Sequence, residues 1–115
     1  MLRGEVRLID LDPARGSEAN KRRPAVIVSN DRANATASRL GRGVVTVVPV
    51  TRNTSWVFPF QTLLLSADTG LRVDSKAQAE QVRSVTVERI GPVVARLAPS
   101  LMAELDDALR LHLQL

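Results

Sequence analysis

Four cations, Lys21, Arg22, Arg23 and Arg52, and two hydroxyls, Ser17 and Thr51, are the residues of this 115-residue chain whose types could act together on a phosphodiester. Arginine presents a planar fork of donors that matches phosphate oxygens in pairs, and a hydroxyl adds another donor where charge builds. Lys21-Arg22-Arg23 is the only run of three cations, and it stops at Pro24, where Ala25-Val26-Ile27-Val28 begins an apolar run. A residue before proline is biased toward extended backbone, so Arg23 should be held out from the start of a strand. A polar loop delivered into a buried strand suits an anion site, because the strand fixes where the loop's cations point.

Other chemistries lack their residues. Cysteine is absent and His112 is the only histidine, which removes thiol, paired-histidine and zinc mechanisms. Gly16 stands alone, so there is no glycine-rich phosphate loop. Asp10 and Asp12 could share a strand face and suggest a metal pair, but no histidine accompanies them and Asp12-Pro13 reads as a turn. No metal and no cofactor are expected. His112, on an amphipathic helix, reads as structural. Glu18 is the best-placed carboxylate for proton transfer or for reading a base edge, with a loop salt bridge to Lys21 or Arg22 as the competing reading. RNA carries its own nucleophile, the 2′-hydroxyl, beside each phosphate. Its cleavage by transesterification needs orientation, charge stabilisation and proton transfer, but neither metal nor protein nucleophile.

Composition narrows the setting. With 44% apolar residues the chain is long enough for one core, and a single domain over residues 1–115 is expected. The net charge of +4 is uneven: Glu104, Asp106 and Asp107 face Arg110 in the last 16 residues, leaving +6 on the first 99. A basic body favours nucleic acid, an anionic membrane surface or an acidic protein segment, and charge alone does not choose. The missing cysteines fit an intracellular protein. No apolar run is long enough to span a bilayer, and the opening MLRGEVRLIDLD meets charge too soon for a signal peptide, so a soluble cytoplasmic protein with no membrane association is expected.

The elements that must position these residues read as short strands followed by one helix. Gly4 to Leu11 alternates as a half-buried strand, with Val6, Leu8 or Ile9, and Leu11 toward the core. Pro24 to Ser29 is apolar throughout, which implies burial on both faces. Asp31 is read as capping a short helical turn through Asn34-Ala35, with residues 36–43 a mobile connection. Gly43 to Thr51 is a second central strand, with Pro49 marking an edge or bulge. Trp56, Phe58 and Phe60 hold every aromatic ring of the chain at alternate positions. They form a stacking platform for unpaired bases, an anchor for a partner, or cover for the core. Gln61 to Ser66 reads as a strand, Thr69-Gly70 as a turn, Leu71 to Val73 as a short extended piece and Ala77 to Val85 as a strand. Ser100 is read as capping a helix whose stripe is Leu101, Leu105, Ala108, Leu109 and His112. Without βαβ alternation, the order points to a mainly β (α+β) fold, a small antiparallel barrel with a helix packed on it.

Five pieces then stand in order: Gly4-Glu5-Val6 with Asp10-Leu11-Asp12-Pro13; Gly16-Ser17-Glu18; Arg23-Pro24-Ala25-Val26-Ile27-Val28-Ser29-Asn30-Asp31; Val48-Pro49-Val50-Thr51; and Glu80-Gln81-Val82-Arg83-Ser84-Val85. Together with the C-terminal amphipathic helix this pattern resembles the MazF/PemK family of toxin endoribonucleases, over essentially the whole chain. The resemblance implies an SH3-like barrel of the type shared with gyrase-poisoning CcdB toxins, a homodimer, and metal-independent, sequence-specific cleavage of single-stranded RNA to 2′,3′-cyclic phosphate and 5′-hydroxyl ends. Messenger RNA would be the first target, with ribosomal or transfer RNA as further ones, and translation and growth would stop. It further implies a cognate antitoxin whose acidic, flexible tail lies over the RNA groove.

On the same resemblance Arg23 and Thr51 are the catalytic pair. RNA contacts fall to Ser17, Glu18, Asn20, Lys21, Arg22, Asn30, Arg52, Gln81 and Arg83, while Trp56, Phe58 and Phe60 stack on a base or receive the antitoxin. Family members often carry glutamine after Gly-Ser-Glu, where this chain has Ala19 followed by Asn20. The cut sequence therefore does not transfer. Two other readings remain at this point: a non-catalytic toxin of the same fold that poisons a protein such as gyrase, and a plain barrel used as a peptide-binding module.

Overall fold

The centre of the fold is an antiparallel pair, β2 (Lys21–Ile27) and β3 (Val44–Thr51), in which Ala25, Val26 and Ile27 lie opposite Pro49, Val48 and Val47. Their β-branched side chains suit a pleated surface covered on both sides. Alternate residues accordingly enter two cores. Val26, Val28, Val48 and Val50 pack into one, and Ala25, Ile27, Val45 and Val47 into the other. The computed structural model describes residues 1–12 and 21–115.

Among the described residues five further strands surround that pair: β1 (Glu5–Asp12), β4 (Gln61–Leu64), β5 (Ser75–Gln78), β6 (Arg83–Thr86) and β7 (Ile90–Arg96). The strands run antiparallel in the order β4-β5-β3-β2-β1-β7, with β6 also beside β3. The fold is thus mainly β with a terminal helix, as the sequence implies, but the sheet is open: β4 and β7 end the path and do not pair. Pro49 has the positional meaning expected of it. Val44 to Val47 pair with β6, Val50 and Thr51 with β5, and the proline, which lacks an N–H, falls where β3 changes partner on that edge.

Three helices accompany the sheet: α1 (Asp31–Leu40), α2 (Ser66–Thr69) and α3 (Pro99–Leu113). α3 covers the first core, burying Leu105 and Ala108, with Leu101 and Leu109 partly buried and His112 exposed. Full burial of a leucine such as Leu105 contributes roughly 1.5–3 kcal/mol. Arg3 fastens α3 to the sheet, since its guanidinium donates to both Asp106 oxygens and to the Val28 carbonyl.

Several local readings of the sequence are corrected. α1 is not a single turn, and residues 36–40 are helical rather than a mobile connection. Asn30, not Asp31, is the cap, its side chain accepting from the Ala33 N–H at 2.8 Å. Helix α1 persists despite modest propensity because the fully buried Asn34 docks on Ser29, donating to its carbonyl at 2.8 Å and accepting from its hydroxyl. The helix before the C-terminus begins at Pro99, whose missing N–H would have had no partner there anyway, so Ser100 is not the cap. Ala77 to Val85 is two strands broken by a 3₁₀ turn at Ala79–Gln81. The strand from Gln61 stops at Leu64.

Glu5 is the charged group most committed to the fold. Burial alone would raise its pKa, but the Leu2 N–H, the Arg7 guanidinium and Arg96 together hold it below its ordinary value of 4.5. A carboxylate depressed on folding stabilises the protein above its unfolded pKa and loses that contribution as pH falls through the folded one. Glu5→Gln should therefore cost about 1–3 kcal/mol at neutral pH. Thermal melts should show the gap from wild type closing as the pH drops below about 4; a gap independent of pH would overturn the assignment.

Candidate active site

The end of the β2–β3 pair carries the chemistry. The observed pairing ends at Ala25 and Pro49, and Arg23 and Thr51 each lie two residues beyond it, toward the same end of the two strands. Both residues line one cavity of about 820 Å³, together with Arg22, Arg52 and Arg72. Its walls are the aliphatic side chains of Leu8, Pro24, Val50, Leu71, Val73 and Val94. Among the described residues that line it there are four arginines and no carboxylate. Such a space attracts phosphate and offers apolar surface to whatever the phosphate carries.

The Thr51 hydroxyl is arranged to donate. Its oxygen accepts the Asn53 N–H at 3.3 Å, and the Asn53 side chain in turn accepts the Ser55 N–H at 3.2 Å. The oxygen thus accepts one backbone N–H, and the O–H remains able to donate. Arg22 is set by a close approach of strands: a Cβ on Gly91 would lie 3.2 Å from the Arg22 Nη1 and only 2.6 Å from the Leu8 carbonyl oxygen. Asp10 pairs with Arg22 across β1 and β2, and its Oδ1 is buried with no hydrogen-bond partner among the described residues.

The whole chain, not only the cavity, matches known proteins. The family model for PemK-like, MazF-like toxins of type II toxin–antitoxin systems matches residues 2–113. The chain belongs to that family. Endoribonuclease MazF9 of Mycobacterium tuberculosis is 64% identical over 115 residues, covering all of this chain and 98% of that protein. Two solved structures share the fold of this MazF-like toxin. One is an endoribonuclease in complex with its cognate antitoxin from a mycobacterial species, with a TM-score of 0.77 at 23% identity, covering 100% of this chain and 96% of that one. The other is MazF from Deinococcus radiodurans, with a TM-score of 0.75 at 24% identity, covering 100% and 97%.

Within the MazF-like toxin the residues expected at the site sort into three groups. Arg22, Arg23, Thr51 and Arg52 come together in the cavity. Ser17, Glu18, Asn20 and the Lys21 side chain lie outside the described residues. The remainder are placed elsewhere: Asn30 caps α1, Gln81 is in the 3₁₀ turn, and Arg83 opens β6 opposite Val47. Trp56, Phe58 and Phe60 follow Thr51 in the segment before β4, and Trp56 and Phe58 are exposed. They do not cover the core.

Sequence reasoning missed Arg72, Leu71 and Val73, which follow the Gly70 turn and form one wall of the cavity. A cation between two apolar residues after a turn was the available signal, and it says nothing of which way the turn faces. The close packing at Gly91 gives a test. Gly91→Ala should push β7 from β1 and dislodge Arg22, lowering stability by about 1–3 kcal/mol. Melting temperature and RNA affinity should fall together; unchanged affinity would remove Arg22 from the binding surface.

Proposed function

We propose that this MazF-like toxin is a metal-independent endoribonuclease that cuts single-stranded RNA at preferred sequences, by attack of a 2′-hydroxyl on the adjacent phosphate. The observation that carries the reading is the cavity that Arg23 and Thr51 line together with Arg22, Arg52 and Arg72. Arg23 clamps the scissile phosphate and offsets the charge of the transition state, and Thr51 donates a hydrogen bond to the same group. A guanidinium does not give up its proton, so removal of the 2′-hydroxyl proton falls to another group, with Glu18 the first candidate. Arg22, Arg52, Lys21, Ser17 and Asn20 hold flanking nucleotides, and Asn30, Gln81 and Arg83 extend the contact surface. Products carry 2′,3′-cyclic phosphate and 5′-hydroxyl ends, and loss of RNA stops translation.

The active form is a cytoplasmic homodimer restrained by a cognate acidic antitoxin. A basic body that includes four cavity arginines supports an acidic partner, as does the antitoxin complex formed by the mycobacterial endoribonuclease of the same fold. Among the described residues no helix is long and apolar enough to cross a membrane.

The test is cleavage of single-stranded RNA in EDTA with the product ends identified. Arg23 is exposed, so Arg23→Ala should leave the fold intact and reduce kcat by about 10²–10³-fold. Thr51→Val, which keeps shape and removes the donor, should lose about tenfold or more. Full activity in Arg23→Ala removes that residue from the mechanism. Growth arrest without RNA cleavage by the wild type would favour a toxin that poisons a protein target.

A further inference from the structure

We infer that Lys76 is a positioning residue that sets base preference at the cut, by anchoring the Trp56–Phe60 segment against the strand that carries Thr51. The inference rests on the endoribonuclease reading above and adds to it a residue and a physical cause for selectivity. Lys76 is in the middle of β5, directly opposite Thr51 on β3 and Leu63 on β4, so the three share one face of the sheet. It is only 7% exposed. Taking an ammonium out of water is among the costliest burials a side chain makes, and it persists where a donor finds a partner. Here Nζ donates to the main-chain carbonyl of Trp56 at 2.5 Å.

That bond holds the backbone of the segment while leaving its rings outward. The Trp56 side is 67% exposed, its ring lies 6.1 Å from Phe58 at a tilt of 54°, and Phe58 stacks on Phe60 at 5.2 Å and 5°. A second anchor fixes the far side, because the Phe58 N–H donates to the Gln61 side chain and the Phe58 carbonyl accepts the Gln61 N–H. Exposed rings on a backbone pinned at two points form a platform for unpaired bases, which stack on aromatic faces. Lys76 touches both ends of the relation, being the register partner of Thr51 and the anchor of Trp56. A base on the platform is therefore held at a fixed offset from the phosphate at Thr51.

Trp56 is the only tryptophan, so its fluorescence reports the segment without labelling. The experiment compares wild type, Lys76→Met, Lys76→Arg and Trp56→Ala in tryptophan emission and quenching, melting temperature, and kcat and KM on single-stranded RNA pairs differing in one base beside the cut. Lys76→Met should lower the melting temperature only modestly, by the loss of one hydrogen bond, while its tryptophan emission and quenching change. Discrimination within each RNA pair should fall about tenfold, through KM more than kcat. Trp56→Ala should lose the same discrimination, with Lys76→Arg restoring part of what methionine loses. Adding Lys76→Met to Trp56→Ala should cost nothing further.

Unchanged discrimination in Lys76→Met overturns the inference, and so does an equal loss on every RNA that tracks a lowered melting temperature. Should Lys76→Met fail to fold, unchanged discrimination in Trp56→Ala overturns it instead. A wild type that cleaves no RNA overturns the endoribonuclease reading itself, which separates that failure from one confined to Lys76.

Discussion

The register between β2 and β3 is the constraint on which the site depends. A strand buried on one face can slip by one residue only by exposing its apolar set, and a strand buried on both faces has no slack in either direction. Along β2 and the residue after it, Ala25 and Ile27 fill one core while Val26 and Val28 fill the other, and β3 divides Val45 and Val47 from Val48 and Val50 in the same way. The small Ala25 and the larger valines are not exchangeable across the sheet, because each core is packed to its own shape. The register so fixed brings Arg23, two residues before Ala25, and Thr51, two residues after Pro49, to the same end of the pair. Packing of hydrocarbon thus determines where a guanidinium and a hydroxyl meet.

The arginines are sorted between two tasks. Arg7 and Arg96 hold the buried Glu5, Arg3 ties α3 to β2, and Arg110 pairs with Asp107. Arg22, Arg23, Arg52 and Arg72 line the cavity, and among the described residues none of them has an ion pair. Like charges gathered without partners repel one another, so this cluster offsets stability gained elsewhere and is relieved when an anion enters. Charges that serve the fold are neutralised within it, and those that serve a polyanion are not.

Much of this was legible in the sequence, and the misses share a cause. The apolar runs after Pro24 and Gly43, the meaning of Pro49 and the stripe of α3 depend on local periodicity and proline chemistry, which a sequence displays directly. Arg23 was singled out because it precedes the proline that opens such a run, whereas Thr51 as its catalytic partner came from the family resemblance. The full length of α1 was missed because its threonine, serine and asparagine favour turns, and what holds it is the docking of Asn34 on Ser29. Arg72 and Lys76 were missed for a related reason. Nothing in Ser75-Lys76-Ala77-Gln78 shows an apolar alternation, and Lys76 is buried only because a segment twenty residues earlier in the chain contributes its carbonyl.

The chemistry lies at the strand ends because the interior of a sheet has nothing left to give. Backbone donors within a ladder are already engaged, and polar side chains there would face a core. At Thr51 the ladder stops, and the succession from Thr51 to Asn53 to Ser55 takes up the released backbone N–H groups through side-chain acceptors. Those bonds do two things at once. They satisfy a chain leaving the sheet without helix or strand, and they hold the threonine hydroxyl with its proton uncommitted. At the next residue, Trp56, the same segment is held by Lys76 from the neighbouring strand. The Thr51 hydroxyl and an aromatic surface are thereby held by a single short excursion between β3 and β4, whose geometry follows from hydrogen bonds that the excursion would need whether or not RNA were present.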